Sequence, residues 1–356
     1  MKTMIKKIIP GNIIVKVKHF FTFIDNKLIF CFAHNGFLSS IYYCFFSRKF
    51  DREHKAVLQG RINYAHSLLQ IQDSSVLLRR NTHRLEKGLI MQPRKSVFAL
   101  DYIIETVNCY NICLTSTSLC QKELKWAHNV LTEYFSVCST SNHHLFKQAQ
   151  KIFNKLAHKT TLSSSSLPYP HKQRTTSTIS YQEFSKLCIQ RRSVRWFEQK
   201  KVDTALLEQA IALASQAPSA CNRQPFTFHL STNMSKASEI AAIAMGTVGF
   251  AENIPAIIAI VGDLSAYPFE RDRHTIYIDA SLAAMQLMLA LETLGLSSCP
   301  INWPDIETLE QKMAKKLNLT DHLRPIMLIA IGYGDANGKI PFSQKKLPAT
   351  LIEEIP

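Results

Sequence analysis

One stretch of this 356-residue chain constrains its fold more than any other, the apolar run IPAIIAIVGD at residues 254–263. It is continuously apolar and rich in β-branched residues, which is typical of a central strand covered on both faces. Residues 325–335, PIMLIAIGYGD, have the same character, and Phe226, Phe228 and Leu230 alternate with polar residues as in a half-buried strand. Such strands need helices against them, so the sequence predicts a layered α/β or α+β domain.

Helical segments are predicted between these strands. Asp203 is expected to cap a helix that stops by Pro218. Residues 279–294 are apolar on nearly every helical face and are followed by Gly295. That pattern is typical of a helix buried within a domain or at a subunit interface.

The chain is too long for a single core, so two folded units are expected. We predict a basic, aromatic-rich leader at 1–55, a helical domain at 56–158, a Ser/Thr/Pro-rich linker at 159–180 and an α+β domain at 181–356. The hydrophobic content of 46% and the charged content of 19% fit a folded chain rather than a disordered one.

The leader is the most basic part of a chain whose formal net charge is +15. Residues 1–60 hold ten Lys or Arg against three acidic residues, a balance that suits a membrane surface, RNA or simply a solvated face. Residues 28–46 carry no formal charge, yet His34 and Asn35 interrupt them, so a buried or dimer-contact helix is favoured over membrane association or a membrane span. Pro10 and Gly11 argue against a cleaved signal.

The nine cysteines are odd in number and lack CxxC spacing. They are therefore interpreted as reduced thiols of a cytoplasmic protein rather than a disulfide framework, and no metal site is expected.

Two polar segments could carry chemistry. The segment IQRRSVRWF, residues 189–197, places three arginines around one serine at the predicted end of a helix. The arginines could bind a phosphate, or they could interact favourably with the negative end of the helix dipole. APSACNRQPFTF, residues 217–228, leads from a helix into a strand, and its amide side chains suit recognition of a flavin or ordinary turn formation.

Taken in order, these segments resemble the nitroreductase family. The RRSVR block is followed by APSACNRQP, the apolar strand ending in GD, the helix YIDASLAAMQLMLALETLGLSSCPI, the strand IMLIAIGYGD and a basic tail. The resemblance covers about half of the chain. It implies an α+β, three-layer fold with a mixed or antiparallel sheet flanked by helices, and a homodimer with two FMN sites at the subunit interface. NAD(P)H would reduce the flavin, and a nitro, quinone or enone acceptor would reoxidise it in a ping-pong cycle.

The resemblance also implies which residues hold the flavin. The phosphate and the pyrimidine end of the ring would be held by Arg191, Arg192, Ser193 and Arg195. Ser219, Asn222 and Gln224 would approach the flavin of the same or the partner chain, and Pro300, Ile301 and Asn302 would lie along the ring. Lys345 or Lys346 would pair with the phosphate. No protein nucleophile is required, because the flavin carries the hydride.

A further charged motif lies outside the resemblance. NTHRLEKGL, residues 81–89, is expected to bring Arg80, His83, Arg84 and Lys87 together on a helix that Gly88 could end. These residues form either an anion or substrate site facing the flavin or a solvated turn. Similar stretches precede nitroreductase-like domains in bacterial proteins.

Two other function classes compete with this interpretation. A dinucleotide-binding fold is disfavoured because Gly332, Gly334 and Gly338 follow the last strand and do not lead into a helix. A catalytically idle flavin-binding or basic scaffold protein at a membrane surface is the alternative function. Nucleic-acid binding is not expected, since no recognition motif accompanies the charge.

Overall fold

The computed structural model describes residues 11–67, 69, 71, 73–156 and 166–355. The beginning of the predicted leader and part of the predicted linker, 157–165, lie outside them. The described chain forms two compact units, residues 1–55 and residues 56–356.

The helices are numbered within the described residues. They are α1 Gly11–Phe32, α2 Gly36–Tyr42, α3 Asp51–His66, α4 Val76–Leu89, α5 Ile103–Thr115, α6 Gln121–Val137, α7 His144–Leu156, α8 Tyr181–Gln190, α9 Thr204–Ala214, α10 Met234–Ala241, α11 Thr275–Thr293 and α12 Glu307–Leu317. The strands are β1 Phe226–Ser231, β2 Ala256–Asp263, β3 Ser297–Asn302 and β4 Leu323–Gly332.

The four strands form one antiparallel sheet in the order β1-β2-β4-β3. β2 is central, and every residue from Ala256 to Gly262 is buried. Ile258 and Ile260 pack into one core with α9 and α11, whereas Ile257 and Ala259 pack into another with α10 and α12. The predicted α+β fold with helices on both faces is therefore confirmed, and the continuous apolar run is explained by burial on both sides of the sheet.

Several predicted boundaries need correction. Asp203 does cap α9 by accepting from the Ala205 N–H, but the helix ends at Ala214, before Pro218. α11 begins one turn earlier than predicted, at Thr275. β3 was not predicted at all, because its short segment SSCPIN lacks the alternation of a strand and contains a single β-branched residue, Ile301.

Helices α4–α7 pack around a separate core that includes Leu78, Leu85, Tyr110 and Tyr134. The predicted helical character of this region is confirmed. Gly88 does not end α4, which continues to Leu89. A Cβ at Gly88 would lie 2.1 Å from the Phe98 ring, so the glycine allows that ring to approach the helix.

Helix α3 packs on the sheet-containing region. Ala56 and Val57 join the core shared by α9 and α11, together with Leu264. Gly60 lies directly against Leu264, since a Cβ there would be 2.8 Å from its backbone carbonyl carbon. From residue 56 onward, α3 is therefore packed into the same core as α9 and α11.

The uncharged window 28–46 is not one helix. α1 ends at Phe32, and Asn35 accepts the Leu38 N–H to cap α2, after which a π-helical turn spans Tyr43–Ser47. The prediction that residues 28–46 form a buried helix is wrong for a single copy of the chain. Among the described side chains of residues 11–55, only that of Tyr42 is buried. Among the described residues, the one helix that is long and apolar enough to cross a membrane is the segment Glu270–Thr293, which contains the core helix α11.

Candidate functional site

The predicted arginine segment runs beside the edge strand β3. α8 ends at Gln190, and Arg191 is its C-cap, with its N–H bonded to the Leu187 carbonyl. Ser193 then forms a parallel bridge with Ser298, and the Val194 N–H donates to the Ser298 carbonyl at 3.0 Å. The expectation that the arginines occupy the last turn of the helix is therefore wrong, because they lie in extended chain anchored to the sheet.

The arginines at this edge are available to an anion. Arg191 Nε is buried and has no hydrogen-bond partner, as is Ser298 Oγ. Arg195 donates weakly to the Ser193 carbonyl at 3.4 Å, and its guanidinium lies 5.8 Å from the centre of the Phe250 ring. Within the described part of the chain, no carboxylate pairs with Arg191, Arg192 or Arg195. Unpaired guanidinium groups at a sheet edge provide a site for a phosphate or another anion.

The electrostatic effect of this cluster is visible at Cys299 in β3. Burial raises the pKa of the Cys299 thiol, and the positive charges of Arg195 and Arg191 partly oppose that rise. Both guanidinium groups therefore act on β3.

β3 supplies the other predicted residues of this edge. Pro300 is half-buried and Asn302 is exposed, whereas the Ile301 side chain is buried. A Cβ at Gly246 would lie 4.0 Å from Ile301 Cγ2, so the 3₁₀ turn Met245–Thr247 closes against the strand. The Thr247 hydroxyl is used internally, since it donates to the Ala241 and Ala244 carbonyls. Asn302 and Pro300 therefore present the accessible surface.

Lys345 and Lys346 lie in the C-terminal segment after β4. Both are exposed. Among the contacts of the described residues, none joins either lysine to the arginine segment.

The second predicted segment forms a tight loop held by Asp279 of α11. Asp279 is buried and accepts from Ser219 Oγ at 2.7 Å and from the Ala220 N–H at 2.9 Å. Ser219 Oγ in turn accepts the Gln224 N–H at 2.8 Å. Cys221, Asn222 and Gln224 all have positive φ values near 50°. That conformation is rare outside glycine, so the surrounding contacts must impose it.

These hydrogen bonds separate the loop side chains into two groups. Ser219 is used as both donor and acceptor, and the Gln224 amide donates to the Ser215 carbonyl and accepts from Arg79. For the Asn222 side chain the described structure shows no hydrogen bond, although its backbone carbonyl accepts from Arg79. Asn222 is therefore the loop residue whose amide is best placed to recognise a ligand, while Ser219 and Gln224 shape the loop.

Arg79 of α4 is a functional residue that sequence reasoning missed. Its Nε donates to the Asn222 carbonyl at 2.9 Å and its Nη2 to Gln224 Oε1 at 3.1 Å. Its Nη1 is paired at 3.0 Å with the buried Glu123 carboxylate, and its guanidinium lies 5.6 Å from the Trp126 ring. The Arg79 side chain thus links α4 to the loop. No local sequence pattern predicts this contact.

Asp279 and Arg223 were missed as well. Asp279 could have been found, because an acid in the middle of an apolar helical segment needs a buried partner. Arg223 lies 4.8 Å from the centre of the Tyr267 ring, and its Nε and Tyr267 Oη are both buried without a partner. Burial raises the pKa of Tyr267, so its hydroxyl stays protonated at neutral pH.

The charged motif on α4 is largely engaged within the protein. His83 contacts Glu86, which accepts from Trp126 Nε1 at 2.8 Å. Arg84 lies over the Tyr102 ring at 3.6 Å, and Arg80 donates to the Tyr64 hydroxyl. These contacts favour a structural surface over the anion site, one of the two interpretations left open by the sequence.

The two clusters lie near opposite ends of α11. The loop cluster bonds to Asp279, whereas Gln190, next to Arg191, donates to Glu292 Oε1 at 3.0 Å. Thirteen residues of helix separate Asp279 from Glu292, which corresponds to about 20 Å. The two clusters therefore contact well-separated positions of α11.

Known proteins resemble the region that contains both clusters and the sheet. The sequence model of the Nitroreductase family matches residues 189–248 and 234–333, the segments that contain both clusters and the sheet. Residues 189–333, in the C-terminal half of the chain, are a nitroreductase-family domain. It belongs to a family of oxidoreductases, and the resemblance inferred from the motifs is confirmed.

Individual relatives of the nitroreductase domain are distant. The putative NAD(P)H nitroreductase YodC of Bacillus subtilis is 28% identical over 159 residues, covering 35% of this chain and 76% of that protein. The iodotyrosine deiodinase of Thermotoga neapolitana is 26% identical over 173 residues, covering 42% and 87%. A nitroreductase in complex with FMN from Desulfovibrio desulfuricans has a TM-score of 0.41 and 23% identity, covering 48% of this chain and 96% of that one.

Proposed function

We propose that this protein is an FMN-dependent oxidoreductase that uses NAD(P)H to reduce a conjugated acceptor of the nitro, quinone or enone type. When bound, FMN would supply the redox chemistry, a hydride acceptor for NAD(P)H and an electron donor for the acceptor in a separate half-reaction. The nine cysteines are all free thiols, which suits a reducing compartment, and we place the enzyme in the cytoplasm.

The observation that carries this proposal is the unpaired arginine cluster on the edge of β3. A buried Arg191 Nε without a partner costs free energy unless a ligand satisfies it, and the oxygens of a phosphate or of the flavin pyrimidine ring would do so. In our assignment, Arg191, Arg192, Ser193 and Arg195 hold the phosphate and the pyrimidine end of the cofactor. A positive charge there favours electron density on the adjacent edge of the ring.

The remaining residues of the proposal complete the cofactor site. Pro300, Ile301 and Asn302 line the ring from β3, with Ile301 contributing through its backbone because its side chain is buried. Asn222 offers an amide donor and acceptor. Lys345 or Lys346 supplies a further positive charge to the phosphate. The protein's part in the reaction is to orient the two substrates in turn and to exclude water.

The positions of the two clusters on α11 support a homodimer. Because the arginine segment and the Asn222 loop lie near opposite ends of α11, we propose that the loop of one chain completes the site of its partner. The apolar surface needed for this contact is present: Ile278, Leu282 and Met285 are exposed on α11. α8 has no buried residue at all in the single chain. A short helix without a buried face gains little stability from its own hydrogen bonds, which suits burial against a second subunit.

The function is tested by anaerobic reduction. We expect purified protein loaded with FMN to be yellow and its absorbance near 450 nm to bleach on addition of NADH or NADPH. The colour should return on addition of a quinone or a nitroaromatic compound. A yellow protein that neither nucleotide bleaches would instead support the catalytically idle flavin-binding scaffold. A protein that stays colourless after attempted reconstitution would show that the proposal is wrong.

The dimer is tested by Leu282→Glu. A charged side chain in an apolar subunit contact costs several kcal/mol, so we expect a shift from dimer to monomer in analytical ultracentrifugation and a loss of most bound FMN. Leu58→Glu is the matched control, because Leu58 is also a leucine exposed on a helix and lies outside both clusters. A variant that remains dimeric with full FMN content would contradict this assembly.

A further inference from the structure

The unit formed by residues 1–55 has a surface unlike that of the rest of the protein. Its described part is a helical hairpin in which α2 follows α1 after a break at residues 33–35. The Tyr42 hydroxyl donates to Asp25, and Tyr42 and Phe32 pack against Phe46. These contacts hold the hairpin together, but they bury only Tyr42 among its described side chains.

The exposed side chains of the hairpin are predominantly aromatic and aliphatic. Of the 20 phenylalanines in the chain, eleven are exposed, and eight of those lie in this unit. Phe30, Phe37 and Phe45 each expose about three quarters of their surface, at 75%, 75% and 74%. The exposed phenylalanines of the unit are Phe20, Phe21, Phe23, Phe30, Phe37, Phe45, Phe46 and Phe50. Apolar surface of this extent is normally covered by a partner.

The positive charge of the hairpin favours an anionic partner. Residues 11–55 contain seven Lys or Arg and three acidic residues. Two of the acids are used internally, since Asp25 accepts from Tyr42 and Asp51 pairs with Arg48. A second copy of the same surface would bring like charges together, whereas an anionic surface attracts them. Aromatic side chains combined with lysine and arginine are typical of helices that lie in the interface of an anionic bilayer.

The hairpin is suited to lie in the interface rather than to cross the membrane. Lys16, Asp25 and Lys27 interrupt α1, and the chain breaks before α2. A charged side chain at the centre of a bilayer costs at least ~2.5 kcal/mol, so a span through this segment is disfavoured. In the interface, by contrast, the lysines can reach the headgroups while the phenylalanines enter the acyl boundary.

We propose that residues 11–50 are a membrane-surface element that attaches this protein to bilayers rich in anionic phospholipid. The inference is independent of the proposed oxidoreductase activity, because it rests only on the surface of this unit. It gives the aromatic-rich leader a role in locating the protein at a membrane surface.

The test is flotation of the full-length protein with lipid vesicles. We expect the protein to float with vesicles of phosphatidylcholine and phosphatidylglycerol, to float poorly with phosphatidylcholine alone, and to be released by high salt. Joint replacement of Phe20, Phe21, Phe23 and Phe30 by serine should abolish flotation. Replacing Lys16 and Lys27 by glutamine should lower partitioning about 30-fold, since each basic residue near an anionic surface contributes about 1 kcal/mol.

The control is the double variant Phe269→Ser and Phe342→Ser, which removes exposed phenylalanines outside this unit and should float like the parent. Circular dichroism checks that each variant is folded. The proposal is overturned if the parent fails to float with anionic vesicles or if the serine variant floats equally well. It is also overturned if the phenylalanines prove to mediate lipid-independent self-association in sedimentation velocity without any vesicle binding.

Discussion

Replacing Arg195 by alanine is expected to weaken FMN binding by about 10- to 100-fold while leaving the nitroreductase domain folded. Loss of a hydrogen bond from a charged group costs about 1.5–3 kcal/mol, which corresponds to that change in affinity. Arg195 has no carboxylate partner in the described chain, so its removal leaves no buried acid uncompensated. Titration of the quenching of FMN fluorescence gives the affinity, and urea unfolding gives the stability.

Two further variants make this result interpretable. Lys312→Ala removes one positive charge from the exposed face of α12 and should leave FMN affinity unchanged, so it controls for net charge. Lys346→Ala is expected to weaken FMN retention as Arg195→Ala does, because we assign Lys346 to the phosphate. If Lys346→Ala binds FMN like the parent while Arg195→Ala does not, the lysine assignment is wrong. Equal affinity in Arg195→Ala and the parent would count against the whole cluster.

Replacing Arg79 by alanine is expected to destabilise the protein and to weaken FMN retention. It would remove both hydrogen bonds to the Asn222 loop and leave the Glu123 carboxylate, which is 3% exposed, without its cation. Breaking a buried ion pair costs about 3–5 kcal/mol, and the bonds that Glu123 retains to Ser74 and to the Ser75 N–H place the expected loss near the lower end. The loop would also be less well ordered, so FMN retention should fall.

Arg84→Ala is the matched control on the same helix. Arg84 pairs with Asp101, whose side chain is 74% exposed, and an ion pair of that kind contributes at most about 1 kcal/mol. Arg79→Lys should restore a cation for Glu123 without the planar fork that reaches both loop residues, so it should recover stability more than FMN retention. Equal urea midpoints for Arg79→Ala and Arg84→Ala would refute the role of Arg79.

Where the sequence predicted structure correctly, the signal was local periodicity. The run 254–263 is β2, the alternation at Phe226–Leu230 is β1, and Asp203 caps α9. Burial on one or both faces leaves a repeat of two or 3.6 residues, or a continuous apolar run, and each of these can be read from neighbouring residues. β3 escaped because a short edge strand containing Pro300 carries no such repeat.

The candidate site was predictable only in part. The arginine segment and the 217–228 segment were found because their residue types and order resemble a known family. Asp279, Arg79 and Arg223 were not, and neither was the internal use of Ser219 and Gln224. The Asp279–Ser219 bond joins residues 60 positions apart and the Arg79–Asn222 bond joins residues 143 positions apart. Local sequence patterns do not predict contacts between residues that are so far apart in the chain.

The ordered motifs indicated a nitroreductase-like α+β domain in the C-terminal half, periodicity predicted helices before it, and composition gave a basic, aromatic leader. These properties follow from composition, periodicity and ordered motifs. Packing of the folded chain, in contrast, leaves the arginine cluster without carboxylate partners on the edge of β3 and places the Asn222 loop near the other end of α11. It also leaves eight of the nine phenylalanines of the leader exposed. Burial and pairing depend on which distant segments meet, and packing of the whole chain fixes that.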